Sequence, residues 1–246
     1  MVISLPLVGK ILYFATLALG LVFLCLFLKT RVKQCSAKAT VIKASVSVCF
    51  ILSWIAASYF AQFPPFAALL GGGLVMGLLG DIWLDLKFCY EKDSDFYTKM
   101  GFLAFGIGHV FYVAAVVLGA KGAGFKPIAI LPACGVALLA AAVVFFGEKP
   151  MKLKYGDYKI ISTVYGAVLF FMAAFAFFVA LFGGIKENVH LVVMAIGGVL
   201  FVLSDLILSG TYFGEGKNRP VDIITNHVLY YAAQFVIAAS VLFLKG

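Results

Sequence analysis

The sequence predicts an all-α fold: a polytopic membrane protein whose single domain is a bundle of eight transmembrane helices. Three observations predict it. The 246 residues are 64% hydrophobic and 12% charged, with a mean hydropathy of +1.10, outside the composition of soluble domains. Apolar runs long enough to cross ~30 Å of hydrocarbon as helices recur along the whole chain. The connections between them are short, so none holds a separate domain.

Taken in order, the runs cover 11–28, 44–60, 66–86, 102–118, 127–146, 159–182, 191–208 and 223–244. The first is long for a signal peptide, and its strongest basic flank follows it without a small-residue cleavage site, so it reads as an anchor. Pro64-Pro65 divides the second run from the third, Gly122 and Gly124 the fourth from the fifth, and Gly183-Gly184 the sixth from the seventh. Small residues inside the third and seventh runs, such as Gly71, Gly72, Gly73, Gly77, Gly197 and Gly198, let helix backbones approach closely.

A net charge of +8 would point to nucleic acid in a soluble protein. Here the basic residues describe topology instead, and no nucleic-acid or protein partner is expected. The loops after runs one, three, five and seven, with their flanks, hold 14 of the 19 Lys and Arg, among them Lys29, Arg31, Lys33, Lys87, Lys152, Lys154 and Arg219. The positive-inside rule puts these loops in the cytoplasm and both termini outside, with a bacterial inner membrane as the expected location. The five cysteines are scattered without CxxC spacing and indicate neither a disulfide framework nor a zinc ribbon.

Polar residues inside the spans carry the functional signal. Eight of the 11 acidic residues lie in loops or at their edges; Asp81 and Asp85 fall in span three and Asp205 in span seven. A charge at the bilayer centre costs at least ~2.5 kcal/mol, so such residues are functional candidates. His109 in span four and His227 near the start of span eight join them. At 1.5 Å per residue, Asp81, Asp205, His109 and His227 lie roughly 5 to 11 Å inside the end of their spans. Four helices thus bring polar groups to one layer, which predicts a shared cavity in the cytoplasmic half.

Spacing within helices adds to this layer. Asp81 and Asp85 share a face, as do Asp205 and Ser209, and His109 neighbours Tyr112. In span eight, Asn226 or His227, Tyr230 or Tyr231, and Gln234 form a polar stripe that must face protein rather than lipid. Structural roles compete with functional ones. Asp85 can snorkel or pair with Lys87, His227 and the two tyrosines can serve an interfacial belt, His109 can be a packed hydrogen-bonding residue, and His190 is expected to be solvated at the opposite face.

The segments LLGDIWL, GFLAFGIGHVFY, GGVLFVLSDLIL and LYYAAQFVIAAS, in this order, resemble the YhhN-like integral membrane proteins, which include the lysoplasmalogenases. Asp81 matches the Gly-Asp of the first motif, His109 the Gly-His of the second, Ser204 and Asp205 the Ser-Asp of the third, and Tyr230, Tyr231 and Gln234 the Tyr-Tyr-x-x-Gln of the last. Asp85 fits the pattern less clearly. The resemblance implies hydrolysis of the vinyl ether bond of a lysophospholipid, releasing a fatty aldehyde and glycerophosphoethanolamine or glycerophosphocholine.

The residues suit that chemistry. An enol ether is hydrolysed by protonating its outer alkene carbon, after which water attacks the oxocarbenium ion; an acid and a second carboxylate are needed, as in glycosidases. Asp81 or Asp205 is the expected acid and the other the stabilising base, with His109 and Tyr112 orienting them. Asp85, Ser204, Asn226, His227, Tyr230, Tyr231 and Gln234 are the expected substrate contacts, Lys87, Lys154 or Arg219 the phosphate contacts, and the Phe-rich spans the seat of the chain. No metal or other cofactor is expected, and the partners are the lysophospholipid and membrane lipids. Two rivals stand beside this reading: a metal-dependent lipid hydrolase, for which HExxH spacing is missing, and a proton-coupled lipid transporter, for which no inverted repeat is evident.

Overall fold

The computed structural model describes residues 5–122, 124–215 and 219–244. Among the described residues, eight helices are long and apolar enough to cross a membrane. They are α1 (Leu5–Arg31), α2 (Ala37–Phe60), α3 (Pro65–Leu86), α4 (Ser94–Gly119), α5 (Ile130–Phe146), α6 (Lys159–Gly183), α7 (Val189–Phe213) and α8 (Pro220–Ala239). Each run of the sequence becomes one helix, because in hydrocarbon the backbone must satisfy its own hydrogen bonds.

The ends differ from expectation where polar residues continue a helix. α2 begins at Ala37, seven residues before the apolar run, with the Ser36 hydroxyl accepting from the Ala39 amide at 3.4 Å. This brings Lys43 inside the helix, where it is 5% exposed. The correction has a plain cause: a lysine ends a run on a hydropathy scale, but its ammonium has two buried carboxylates to meet. α4 likewise starts at Ser94 rather than near 102, preceded by a 3-10 turn over Glu91–Asp93. Helix α8 ends at Ala239 and continues as a 3-10 turn, Ser240–Phe243.

Sequential neighbours pack as antiparallel hairpins, α1 on α2, α3 on α4, α5 on α6 and α7 on α8. α8 also touches α1, α2 and α3, so it stands inside the bundle, whereas α5 packs mainly on α6. Glycines on α3 make the close contacts. A Cβ at Gly73 would lie 2.1 Å from the Tyr112 ring, and one at Gly77 would lie 2.5 Å from the Gln234 amide. These two positions seat the side chains that lead to Asp81.

At the end of the bundle where α1, α3, α5 and α7 finish, the connection between α5 and α6 is fastened to α7. The Lys154 amide donates to the Phe213 carbonyl at 2.8 Å, Leu153 bridges Gly214, and Lys154 pairs with Glu215. Glu148 organises the same connection, accepting from the Tyr155 amide at 2.8 Å and from Lys159 at 3.2 Å.

At the opposite end His190 is fully buried rather than solvated. Its Nε2 donates to the Gly119 carbonyl at 2.8 Å and its ring meets Phe66 edge-on. The expectation failed because α7 begins at Val189, so the imidazole already packs on the last turn of α4.

Candidate active site

A cavity of about 250 Å³ opens at the end of the bundle that carries the basic loops. Asp81 and Asp85 from α3, Ser204 and Asp205 from α7, and Asn226, His227 and Tyr230 from α8 all line it. Arg31, Lys43 and Lys87 bring three cations to the same wall. Phe102, Phe105, Phe201 and Leu208 close its apolar side.

Asp81 is 2% exposed and held from two other helices, α2 and α8. Its Oδ2 accepts from the Ser47 hydroxyl at 2.6 Å and from the Tyr230 hydroxyl at 2.7 Å, and its Oδ1 lies 3.3 Å from Lys43 Nζ. Two hydroxyl donors and an ammonium form the surroundings of a carboxylate anion. Tyr230 is in turn held by Gln234, whose Nε2 donates to its oxygen at 3.1 Å, while Tyr112 donates to Gln234 Oε1 at 2.9 Å. A chain of hydrogen bonds therefore runs from Tyr112 through Gln234 and Tyr230 to Asp81.

Asp85 does not pair with Lys87. Its Oδ1 is 3.0 Å from Lys43 Nζ, and Arg31 lies 3.9 Å from Oδ2. With both carboxylates and Lys43 buried, the three form one ionic group in which the cation sits between two acids. Lys87 turns instead over the Tyr212 ring, 3.1 Å from its centroid. Of the three cations expected at the phosphate, only Lys87 reaches the cavity; Arg219 pairs with Asp222 and Lys154 with Glu215.

Asp205 has a different setting. Tyr165 donates to its Oδ2 at 2.5 Å, and among the described residues it makes no ion pair. Since the Tyr165 proton is engaged, His109 Nε2 acts as donor to the Tyr165 oxygen, at 3.4 Å. His109 thus reaches the carboxyl through a tyrosine, and its Nδ1 has no hydrogen-bond partner among the described residues.

Several predicted contacts stand behind the cavity wall rather than on it. His109, Tyr112, Tyr231 and Gln234 are buried but do not line the cavity. Their spacing identified the right faces, but Phe105, Phe201 and Tyr230 come between. Tyr231 packs instead toward α2, donating to the Lys43 carbonyl at 3.2 Å. Asn226 lines the cavity, yet its amide is spent on Ser204, donating to the carbonyl at 2.8 Å and the hydroxyl at 3.1 Å. His227 Nδ1 donates to the Ile223 carbonyl at 2.8 Å, and its ring meets Phe27 edge-on.

Four residues of the site were not singled out from the sequence: Arg31, Lys43, Ser47 and Tyr165. Lys43 and Ser47 carried a signal, since their four-residue spacing mirrors that of Asp81 and Asp85 on the next helix. Tyr165 carried little, being one tyrosine among the aromatic residues of α6.

A second cavity, of about 340 Å³, lies between α5, α6 and α7. It is lined by Val136, Ala140, Val144, Leu169 and Val202 among others, and it shares Phe102, Tyr165, Asp205, Leu208 and Tyr212 with the first. Among the described residues, no group of three or more His, Cys, Asp or Glu side chains is placed to hold a metal ion. The model of one family, YhhN, matches residues 38–241. Neither a curated protein nor a solved structure matches the chain.

Proposed function

The chain belongs to the YhhN family, and from that premise we propose that it is a membrane-embedded lysoplasmalogenase. The reaction adds one water across the vinyl ether of an alkenyl-glycerophospholipid, giving a fatty aldehyde and a glycerophospho head group. The observation that carries the reading is the pairing of two unlike carboxyl groups in one cavity: Asp81 among hydroxyls and an ammonium, Asp205 with the Tyr165 hydroxyl and, among the described residues, no ion pair.

In this reading Asp205 is the acid. It delivers its proton to the alkene carbon distal to oxygen, the π electrons forming the new C–H bond, and the positive charge spreads over the other carbon and the ether oxygen. Asp81 stabilises that cation and takes a proton from a water whose oxygen bonds to the charged carbon. The resulting hemiacetal collapses when its hydroxyl gives up a proton and the bond to the glycerol oxygen breaks, that oxygen being protonated as it leaves. Tyr165 and His109 hold Asp205, while Tyr230, Gln234 and Tyr112 hold Asp81.

Charge supports the same substrate. With Asp205 protonated and Lys87 in its charged form, the lining presents three cations, Arg31, Lys43 and Lys87, and two anions, Asp81 and Asp85. The surplus of one positive charge matches one phosphodiester. The excess of Lys and Arg in the loops at this end supports a cytoplasmic position for it in a bacterial inner membrane, with both termini outside.

The test is product analysis with detergent-purified protein. Alkenyl lysophospholipid is expected to yield free aldehyde, and the matched alkyl and acyl lipids none. Cleavage of the acyl lipid, turnover abolished by chelation, or proton-driven lipid uptake in proteoliposomes without aldehyde would overturn the reading in favour of a hydrolase of another class or a transporter.

A further inference from the structure

Beside the polar cavity the structure holds a second, nearly apolar one, and three helices face it with a single periodicity. Val136, Leu139, Ala140, Val143 and Val144 of α5 recur at i, i+3, i+4, i+7 and i+8. On α6, Ser162, Tyr165, Gly166, Leu169 and Phe170 repeat the pattern, and on α7 Val202, Asp205, Leu206 and Ser209 follow it. Such spacing gives each helix one face toward a common space. From Val136 to Val144 the α5 face extends about 12 Å along the axis, so the space is elongated and parallel to the helices.

We propose that this cavity holds the hydrocarbon chain of a single-chain phospholipid, with the first two chain carbons at Asp205 and Tyr165; the inference rests on the lysoplasmalogenase reading and names its chain subsite. Three observations carry it. The two cavities join at Phe102, Tyr165, Asp205, Leu208 and Tyr212. A lysolipid has its vinyl ether at the junction of a charged head and an apolar tail, and Asp205 is the carboxyl at the junction of these two cavities.

Depth gives the second observation. Val136, Leu169 and Val202 lie deeper in the bundle than Tyr155 and Phe213, so the apolar cavity runs from the basic end toward the membrane interior. A lysolipid of the adjoining leaflet already lies that way, head at the interface and tail inward, and needs no inversion to enter. The third is space at Gly166. A Cβ added there meets only Val144, at 3.5 Å, an ordinary contact. The cavity wall is thus open where a chain would pass, and Val, Leu and Ala of α5–α7 line it together with Phe102, Phe170 and Phe213.

A nonhydrolysable alkyl lysophosphocholine carrying a diazirine at the chain end tests the proposal on purified protein. Crosslinks, located to single residues, are expected on Val136, Leu169, Phe170 and Val202; crosslinks confined to exposed residues such as Leu138, Ile196 and Val199 would overturn it. A second arm uses Gly166→Leu, which fills the cavity without touching the carboxyl groups. Its kcat/KM for long-chain alkenyl substrate should fall about 10-fold relative to a short-chain one, the scale of a filled methylene site; equal loss for both chains would also overturn it. Failure of the enzyme reading leaves a different trace: no aldehyde from wild-type protein at any chain length, whatever the crosslinks show.

Discussion

Lys43 Nζ lies 3.0 Å from Asp85 Oδ1 between two membrane-crossing helices, with both side chains nearly inaccessible to solvent. The same ammonium is 3.3 Å from Asp81. One cation therefore fixes both acids of α3, and the catalytic reading of Asp81 depends on it.

Replacing Lys43 with Met should leave two buried carboxylates facing each other, a loss of about 3–5 kcal/mol for a broken buried pair. Adding Asp85→Leu removes one of them and should recover much of that stability. Unfolding of the two variants in detergent checks this; a Lys43→Met protein as stable as wild type would contradict the arrangement.

Asp205→Asn and Asp81→Asn should each lower kcat for vinyl ether hydrolysis by ~100-fold or more, the scale of a lost acid or base. Binding of an alkyl lysolipid should survive in both, since neither substitution removes apolar surface. Wild-type turnover in either variant would remove that residue from the chemistry.

Tyr165→Phe takes away the hydroxyl between His109 and Asp205. It should reduce kcat by about 10-fold, the order of one buried hydrogen bond, with little change in KM. If His109 acts only through Tyr165, His109→Ala in the Tyr165→Phe background should add almost nothing, and a multiplicative loss in the double variant would show a separate path.

Gly77→Ala places a methyl where the Gln234 amide sits. The hydrogen bond from Gln234 to Tyr230 should break and kcat should fall. Because the clash is with one flexible side chain, Gln234→Ala in the same protein should restore folding stability while leaving kcat low.

Lys87 follows α3 by one residue, outside the spanning segment. Burial, reinforced by the nearby positive charges of Arg31 and Lys43, brings its ammonium down to about 7. The charged form, which would bind phosphate, prevails below that pH, so KM should rise as pH passes upward through about 7. Lys87→Arg keeps its charge throughout and should flatten the profile.

Much of the site could be read from the chain because burial of charge in hydrocarbon is costly enough to be rare. Asp81 and Asp205 stand out against their spans, and a count of residues from each helix end places them in one layer. Lys43 escaped because the rule that finds helices by hydropathy treats a lysine as their end. Tyr165 escaped because an aromatic residue in a membrane helix is usual in packing or at an interface.

The sequence alone determined eight spans, the loops that join them and the set of polar groups carried to one depth, since each follows from local composition and a fixed rise per residue. Only the tertiary structure decided the partners: that Lys43 meets Asp81 and Asp85, that Tyr165 rather than Tyr112 links His109 to Asp205, and that Asp205 faces two cavities at once. Those outcomes depend on which helices adjoin and how each is rotated about its axis. Contacts between distant segments set both, and a single helix's periodicity does not contain them.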